Sequence, residues 1–207
     1  MDLITSINQL KKTKTAKEIS TKIKEFEIVG KKSNKEIYIE LCYCLLTANF
    51  NAKKSIDIQN KIGSGFARLS LEQLSDKLKE YGHRFPNTRA NFIYLSRAYK
   101  NNLKEKLSEN KSEEDKRDWL VKNIKGLGYK EASHFLRNIG YKDLAIIDFH
   151  RIDILVDNKK IEKPKTITKA KYLEIENILR KLAKKVNLSL AELDLYLWFL
   201  ETGKIYK

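Results

Sequence analysis

Apolar residues recur three and four positions apart along most of the chain, which is the spacing of one helical face. Residues 1–33 predict two amphipathic helices that separate near Thr13–Thr15. A more apolar helix follows over residues 34–47, with Asn34 as its expected cap, and another is predicted over Ala52–Ile62. The pattern therefore indicates an all-α protein.

The middle of the chain predicts two further helices with a short non-helical connection between them. The first runs from about Ser70 to Tyr81, and the second covers residues 88–108. Pro86 separates them, because a proline disfavours helical geometry at the residue before it, here Phe85. The apolar stripe that we expect to pack in the core on the second helix consists of Phe92, Leu95, Ala98 and Tyr99.

Residues 105–116 are the most polar piece of the chain and predict a surface connection. The last predicted helices cover Lys169–Lys185 and Leu188–Thr202. A domain boundary is possible at residues 105–116.

Residues 121–151 carry the most specific pattern in the chain. They predict a helix that ends near Ile124, a tight turn over Lys125–Gly128, and a second helix from about Tyr129 to Asn138. Glycines in the turn permit unusual backbone angles and a close approach of another backbone. The N–H groups of the turn and of the following helix start together make an anion site suited to a phosphate.

Lys130 lies in the first turn of that second helix, and Asp148 precedes a predicted helix over Phe149–Val156. An amine nucleophile must be neutral, whereas an ordinary lysine ammonium titrates near ~10.4. The positive end of a helix dipole and partial burial both disfavour an ammonium, so this position suits a lysine nucleophile. Without the surrounding motif, Lys130 would be one solvated lysine among 42 Lys and Arg residues, and Asp148 an N-cap.

Composition and charge narrow the class of protein. Hydrophobic residues make up 42% and charged residues 33%, which is the balance of a soluble globular chain. The net charge of +15 favours nucleic acid as partner, although an anionic membrane surface or an acidic protein would also fit. Because no apolar run approaches ~18 residues and no secretory segment is evident, we expect a cytoplasmic or nucleoid-associated protein without membrane contact.

Cys42 and Cys44 are the two cysteines of the chain. At positions i and i+2 of a helix they face different directions, so neither a disulfide nor a zinc site is expected. An iron–sulfur cluster held by four cysteines cannot form within one such chain.

The stretch around the turn resembles the helix-hairpin-helix DNA glycosylases that also cleave the strand. The hairpin of that family, at about residues 113–139 here, reads apolar-x-Gly-x-Gly-x-Lys-x-Ala, which is matched by Ile124, Gly126, Gly128, Lys130 and Ala132. The family's aspartate, about eighteen residues after the lysine, corresponds to Asp148. Residues 193–207 closely resemble the end of the archaeal-type 8-oxoguanine DNA glycosylase/AP lyases. One departure is Phe149, where a basic residue is expected.

The resemblance implies a base-excision repair enzyme that acts as a monomer on duplex DNA containing 8-oxoguanine and flips the damaged base out of the stack. Lys130 is then the nucleophile that attacks C1′ and displaces the base, and Asp148 stabilises the developing positive charge. The resulting Schiff base permits β-elimination of the 3′ phosphate, so both glycosylase and AP lyase activities are expected. The scheme requires no cofactor, although the hairpin carbonyls could hold a monovalent cation. Because the family fold crosses between its two helical halves more than once, the resemblance also implies one domain over residues 1–207, with two helical subdomains and an active-site cleft between them.

The resemblance also suggests a base pocket. Trp198 takes the place of the aromatic residue that stacks on the extruded base. Asp194, four residues earlier, could accept hydrogen bonds from guanine N1–H and its amine, and His134 could cover the other side of the base. Lys207, with its ammonium and terminal carboxylate, is expected to favour 8-oxoguanine, whose N7 carries a proton. The structural alternatives are a core Trp198, an exposed Asp194 and a core His134.

Several further residues are expected to contact DNA. In the loop over residues 47–51, Asn49 could fill the space left by the flipped nucleotide, unless this is an ordinary helix connection. Arg84 and Phe85 could form a wedge between bases, the alternative being a core Phe85 and a solvated Arg84. The remaining expected DNA contacts are Lys125, Gly126, Gly128 and His150.

Two alternative functions remain open at this point. A bifunctional relative could act on a different base, such as an oxidised pyrimidine, but the missing iron–sulfur cysteines and Lys207 count against it. A non-catalytic hairpin protein that only binds DNA would need Gly126 and Gly128, but not Lys130 together with Asp148.

Overall fold

The structure, a computed structural model, describes residues 2–207, and in this range it consists of helices and connections without a β-strand. Two short 3₁₀ helices cover Gly63–Ala67 and Arg97–Tyr99. The α-helices are α1 (Leu3–Leu10), α2 (Lys14–Lys31), α3 (Asn34–Thr47), α4 (Ala52–Ile62), α5 (Leu71–Glu80), α6 (Pro86–Ser96), α7 (Leu103–Ser108), α8 (Glu113–Asn123), α9 (Tyr129–Asn138), α10 (Phe149–Asp157), α11 (Lys169–Lys185) and α12 (Leu190–Thr202).

The predicted all-α class is confirmed, and the helices group into two compact units. The first unit combines the N-terminal residues up to Ile28 with Leu136–Lys207, and the second is Val29–Phe135. The boundary after Phe135 falls inside α9, so this helix contributes to both units. The single-domain description with an intervening cleft stays a prediction. None of the helices described is long and apolar enough to cross a membrane.

Helix α3 forms the centre of the second unit. Ten of its fourteen residues are buried, including Tyr38, Cys42 and Cys44. The Tyr38 hydroxyl donates to the Ile93 carbonyl of α6 at 2.9 Å, and burial raises the pKa of this phenol. The two cysteines are buried and not joined to each other, and burial raises the pKa of Cys42.

Helix α12 occupies the corresponding place in the first unit, where α1 and α11 pack against it. Ser189 begins the helix with a reciprocal capping box, because Glu192 donates its N–H to the serine hydroxyl and accepts from the serine N–H. Its buried face is apolar apart from one carboxylate, that of Asp194.

The prediction of one helix over residues 88–108 was wrong. The segment divides into α6, a 3₁₀ turn and α7, and Asn34 of α3 binds the backbone at the break. The side-chain NH2 group of Asn34 donates to the Asn101 carbonyl at 2.8 Å, and its side-chain oxygen accepts from the Lys104 N–H at 2.8 Å. Ser33, not Asn34, is the N-cap of α3.

The predicted apolar stripe on this segment was also wrong. Leu95 is 48% exposed and Ala98 is exposed, whereas the buried face of α6 contains Arg89, Ala90, Ile93 and Ser96. Arg89 can lie on this buried face because its guanidinium donates a hydrogen bond to the Ala48 carbonyl. This bond offsets part of the free-energy cost of burying the charge.

Candidate active site

The hairpin turn has the form that its glycines predict. Helix α8 ends at Asn123, and α9 begins at Tyr129. Gly126 has φ +94°, and a Cβ atom at this position would lie 2.2 Å from a ring carbon of Phe92. Gly128 accepts a hydrogen bond from the Ala132 N–H at 2.9 Å and so starts the ladder of α9. Lys125 and Gly128 are exposed, which leaves this turn accessible to a phosphate.

Lys130 lies in the first turn of α9, as predicted, with 23% of its side chain exposed. Its Nζ is 3.6 Å from Oε1 of Glu131, a partner that sequence reasoning missed. The hydrophobic pattern gives no signal for this pair, because adjacent residues of a helix do not normally face each other.

His134 lies one turn after Lys130 on α9 and is buried. Its ring packs edge-on against Tyr43 of α3, with the ring centroids 5.7 Å apart. This environment fits the alternative of a core histidine. The contact of His134 with an extruded base stays a prediction.

Asp148 is the N-cap of α10, in agreement with the capping interpretation of the sequence. Its Oδ1 accepts from the Arg151 N–H at 3.0 Å. The next two side chains point to solvent, with Phe149 69% exposed and His150 63% exposed. His150 Nδ1 lies 2.5 Å from a carboxylate oxygen of Glu201 on α12. The start of α10 therefore presents a partly buried carboxylate beside exposed residues.

Asp194 is buried and binds two arginines. Its Oδ2 accepts from Arg137 at 2.7 Å, and its Oδ1 accepts from Arg151 at 2.8 and 3.0 Å. The alternative of an exposed Asp194 is therefore wrong, and direct recognition of a base would have to compete with two guanidinium groups. Sequence reasoning missed Arg137 and Arg151, because they lie 57 and 43 residues from Asp194 along the chain.

Trp198 is half-buried on α12, next to Asp194 and Arg151. The guanidinium carbon of Arg151 lies 5.5 Å from the indole ring, and His150 packs edge-on at 6.4 Å. The indole Nε1 is buried and has no hydrogen-bond acceptor among residues 2–207. Lys207 is half-buried in the segment that follows Gly203, which ends α12 with φ +67°. The pocket roles of Trp198 and Lys207 stay predictions.

Two loops of the second unit carry the residues expected to probe the duplex. Asn49 is exposed and has φ +56°. Phe85 is 37% exposed, so the alternative of a core phenylalanine is wrong, and the Arg84 guanidinium lies 5.0 Å from its ring. The two loops are the Asn49 loop (residues 47–51) and the Phe85 corner (residues 82–87).

A buried histidine, His83, connects the Phe85 corner to the Asn49 loop, because its ring packs on that of Phe50 with the centroids 4.2 Å apart, and sequence reasoning missed it. Nε2 of His83 donates to the Leu46 carbonyl at 3.1 Å, and Nδ1 accepts from the Phe85 N–H at 3.0 Å. The two bonds together require a neutral ring, and burial lowers the pKa of His83 below its ordinary value.

The comparisons with known proteins show the family of the chain. A family model described as 8-oxoguanine DNA glycosylase matches residues 19–188. The chain belongs to this family. An 8-oxoguanine DNA glycosylase/AP lyase of Methanocaldococcus jannaschii is 51% identical over 208 residues, covering all of both chains. One of Korarchaeum cryptofilum with the same name is 46% identical over 207 residues, covering 100% of this chain and 98% of the relative.

Solved structures of the family share the fold over the full chain. The Methanocaldococcus jannaschii 8-oxoguanine glycosylase/lyase in complex with a 15mer DNA containing 8-oxoguanine superimposes with a TM-score of 0.96. It is 51% identical, and the match covers 99% of each chain. The 8-oxoguanine DNA glycosylase of Thermotoga maritima gives 0.93 at 40% identity, covering 99% of this chain and 98% of that chain.

The close contact at Gly126 predicts a stability effect. Gly126→Ala must strain the positive φ and also displace the Phe92 ring, whereas Gly203→Ala meets nothing within 4 Å. Chemical denaturation should show a loss of about 1–2 kcal/mol in the free energy of unfolding for Gly203→Ala. The loss for Gly126→Ala should exceed that of the control by about 1–3 kcal/mol. Equal losses would contradict the described packing.

The buried carboxylate predicts a larger effect. Asp194→Ala leaves the buried Arg137 guanidinium without this anion and leaves Arg151 with only the more distant Glu201, at 3.5 Å, so the free energy of unfolding should fall by about 3–5 kcal/mol. Asp153→Ala is the matched control, because Asp153 is half exposed and pairs with Lys163 at the surface. Its removal should cost less than about 1 kcal/mol in the same denaturation experiment. A small loss for Asp194→Ala would show that the arginines find other partners.

His83 predicts a pH dependence of stability. Its pKa in the folded protein lies below the value near ~6.5 of an unfolded chain, so the unfolded state binds more protons between the two values. This contribution is complete above about pH 6.5 and is lost as the pH falls through the folded pKa. Unfolding titrations from about pH 7 to 5 should give a shallower slope for His83→Gln than for the wild type. An unchanged slope would contradict a neutral buried ring.

Proposed function

We propose that this chain is a bifunctional 8-oxoguanine DNA glycosylase and AP lyase of base-excision repair. The observation that carries the proposal is the position of Lys130, in the first turn of the helix that follows the Gly126–Gly128 turn. Relatives with this name cover the full chain at 46–51% identity, which supports the same assignment.

Duplex DNA containing 8-oxoguanine is the proposed substrate. The excess of cationic residues attracts the phosphate backbone, and the exposed hairpin turn offers N–H groups to one phosphate. Lys125 and His150 add exposed polar groups near the two catalytic residues in sequence. The Phe85 corner and the Asn49 loop enter the duplex when the damaged nucleotide leaves the stack.

The extruded base stacks on Trp198, with Lys207 and His134 as further pocket residues. Since guanidiniums hold both carboxylate oxygens of Asp194, its contribution is to fix Arg151 against the Trp198 ring. Asp194 therefore supports the stacking surface and does not need to contact the base.

The chemistry follows from an amine and a carboxylate acting on one sugar. The neutral Nζ of Lys130 attacks C1′, the bond from C1′ to the base breaks, and the base leaves with the electron pair. The carboxylate of Asp148 stabilises the positive charge that develops on the sugar. Nζ then loses a proton and its lone pair forms the C=N bond of a Schiff base with C1′, while the C1′–O4′ bond breaks and O4′ leaves with the electron pair and takes up a proton. Removal of a C2′ proton then expels the 3′ phosphate.

No step of this scheme draws on a metal or an organic cofactor. The proposed residues all lie on one chain, which supports action as a monomer. A monovalent cation at the hairpin carbonyls would help to hold a phosphate, but the Ile124 and Gly128 carbonyls already accept hydrogen bonds from Leu127 and Ala132.

Borohydride trapping tests the proposed function. The wild type should form a covalent adduct with a duplex that holds 8-oxoguanine opposite cytosine, because borohydride reduces the Schiff base. Lys130→Gln should form none, and Lys122→Gln, which removes the same charge from an exposed position in the last turn of α8, should still form it. Incision of the duplex and the adduct are read together on a denaturing gel.

A second duplex with a plain abasic site distinguishes the ways in which this can fail. Trapping on the abasic site alone would keep the lyase chemistry and contradict 8-oxoguanine as the substrate. Trapping by neither duplex would contradict the enzyme and leave a DNA-binding hairpin protein.

A further inference from the structure

One buried cation on α6 contacts both loops that are expected to probe the duplex. Nη2 of Arg89 donates to the Ala48 carbonyl at 2.6 Å, directly before Asn49 and its left-handed backbone. The same guanidinium lies 5.9 Å from the ring centroid of Phe85. The Asn49 loop and the Phe85 corner thus share one side chain, although 36 positions separate Asn49 from Phe85 in sequence.

Arg89 also faces the hairpin. Its guanidinium carbon lies 5.7 Å from the ring centroid of Phe92, and that ring packs so closely on Gly126 that no Cβ atom would fit between them. Arg89 further interacts electrostatically with Glu131, the neighbour of Lys130. A row of contacts therefore runs from the Phe85 corner through Arg89 to the hairpin, entirely within the second unit.

Burying the Arg89 guanidinium costs free energy. Arg89 is buried, burial lowers its pKa, and its Nε has no acceptor among residues 2–207. A buried donor without a partner is rare in native proteins, and an apolar side chain of similar length would avoid the cost. An arginine at this position therefore calls for a role beyond filling the core.

We propose that Arg89 is the positioning residue for base extrusion: it holds the Asn49 loop and the Phe85 corner as one rigid element against the hairpin. When the Phe85 corner enters the duplex, the contacts of the Arg89 guanidinium keep Phe85 from moving relative to α6 and the hairpin. Without the guanidinium, His83 would still join the two loops to each other, but they would lose this connection to α6 and the hairpin, and the duplex would open less often. The inference rests on the proposed function.

The test compares Arg89→Met with Arg97→Met. Arg97 is the matched control, because its Nε donates to the Phe66 carbonyl at 2.8 Å and its guanidinium lies 4.9 Å from the Tyr94 ring. It therefore makes the same two kinds of contact in the same unit, but with neither loop. Base extrusion is followed by the fluorescence of 2-aminopurine placed beside 8-oxoguanine, and excision by single-turnover cleavage.

Arg89→Met should lower the rate of the fluorescence rise and the rate of excision by about 10–100-fold each. This is the size of effect that a small misplacement of a positioning group produces. Borohydride trapping on a plain abasic site should stay within about threefold of the wild type, because that substrate has no base to extrude. Arg97→Met should behave as the wild type in all three measurements.

Equal behaviour of the Arg89 and Arg97 variants on 8-oxoguanine would overturn the inference, as would an equal loss of excision and abasic trapping in Arg89→Met. If Arg89→Met does not fold, Arg89→Lys decides, since it retains the charge and a donor for Ala48 but not the planar group between the rings. Reduced extrusion with normal abasic trapping would support the role, and normal extrusion would overturn it. A wild type that does not excise 8-oxoguanine would instead refute the proposed function.

Discussion

A single buried carboxylate, that of Asp194, joins parts of three helices in the first unit. Asp194 of α12 binds Arg137 at the end of α9 and Arg151 in the first turn of α10. The backbone N–H of Arg151 in turn binds Asp148, so the cap of α10 is tied to α12 through one residue. Helix α9 continues from Arg137 back to Lys130 over seven residues, about 10 Å along its axis. Burying two cations and one anion is costly, and it is tolerated only because all three groups are paired.

The hairpin turn depends on a second constraint, namely that the residue at position 126 has no side chain. Gly126 has no side chain, so Phe92 can cover the turn, and the positive φ at this residue costs glycine little. Phe92 in turn lies against the Arg89 guanidinium. The geometry of the turn that precedes Lys130 is therefore determined by packing from α6 as well as by its own sequence.

The sequence predicted well those features that are encoded locally. The bounds of α9, the turn before it and the cap at Asp148 all follow from neighbouring residues, since glycine conformations and capping bonds span only a few positions. The break between α6 and α7 was missed because Asn34, more than sixty residues away, satisfies the backbone there. Arg89, His83 and the arginine partners of Asp194 were missed for the same reason. Their bonds join distant segments, and a hydrophobic pattern carries no signal for a buried charge with a distant partner.

The proposed function requires Lys130 and Asp148 to act on the same sugar. The most direct measurement is a crystal structure of the wild-type protein joined to an 8-oxoguanine duplex by borohydride reduction. We predict a covalent bond from Nζ of Lys130 to C1′, with the Asp148 carboxylate next to that sugar and still capping α10. A bond from any other amine, or an Asp148 carboxylate away from the sugar, would contradict it.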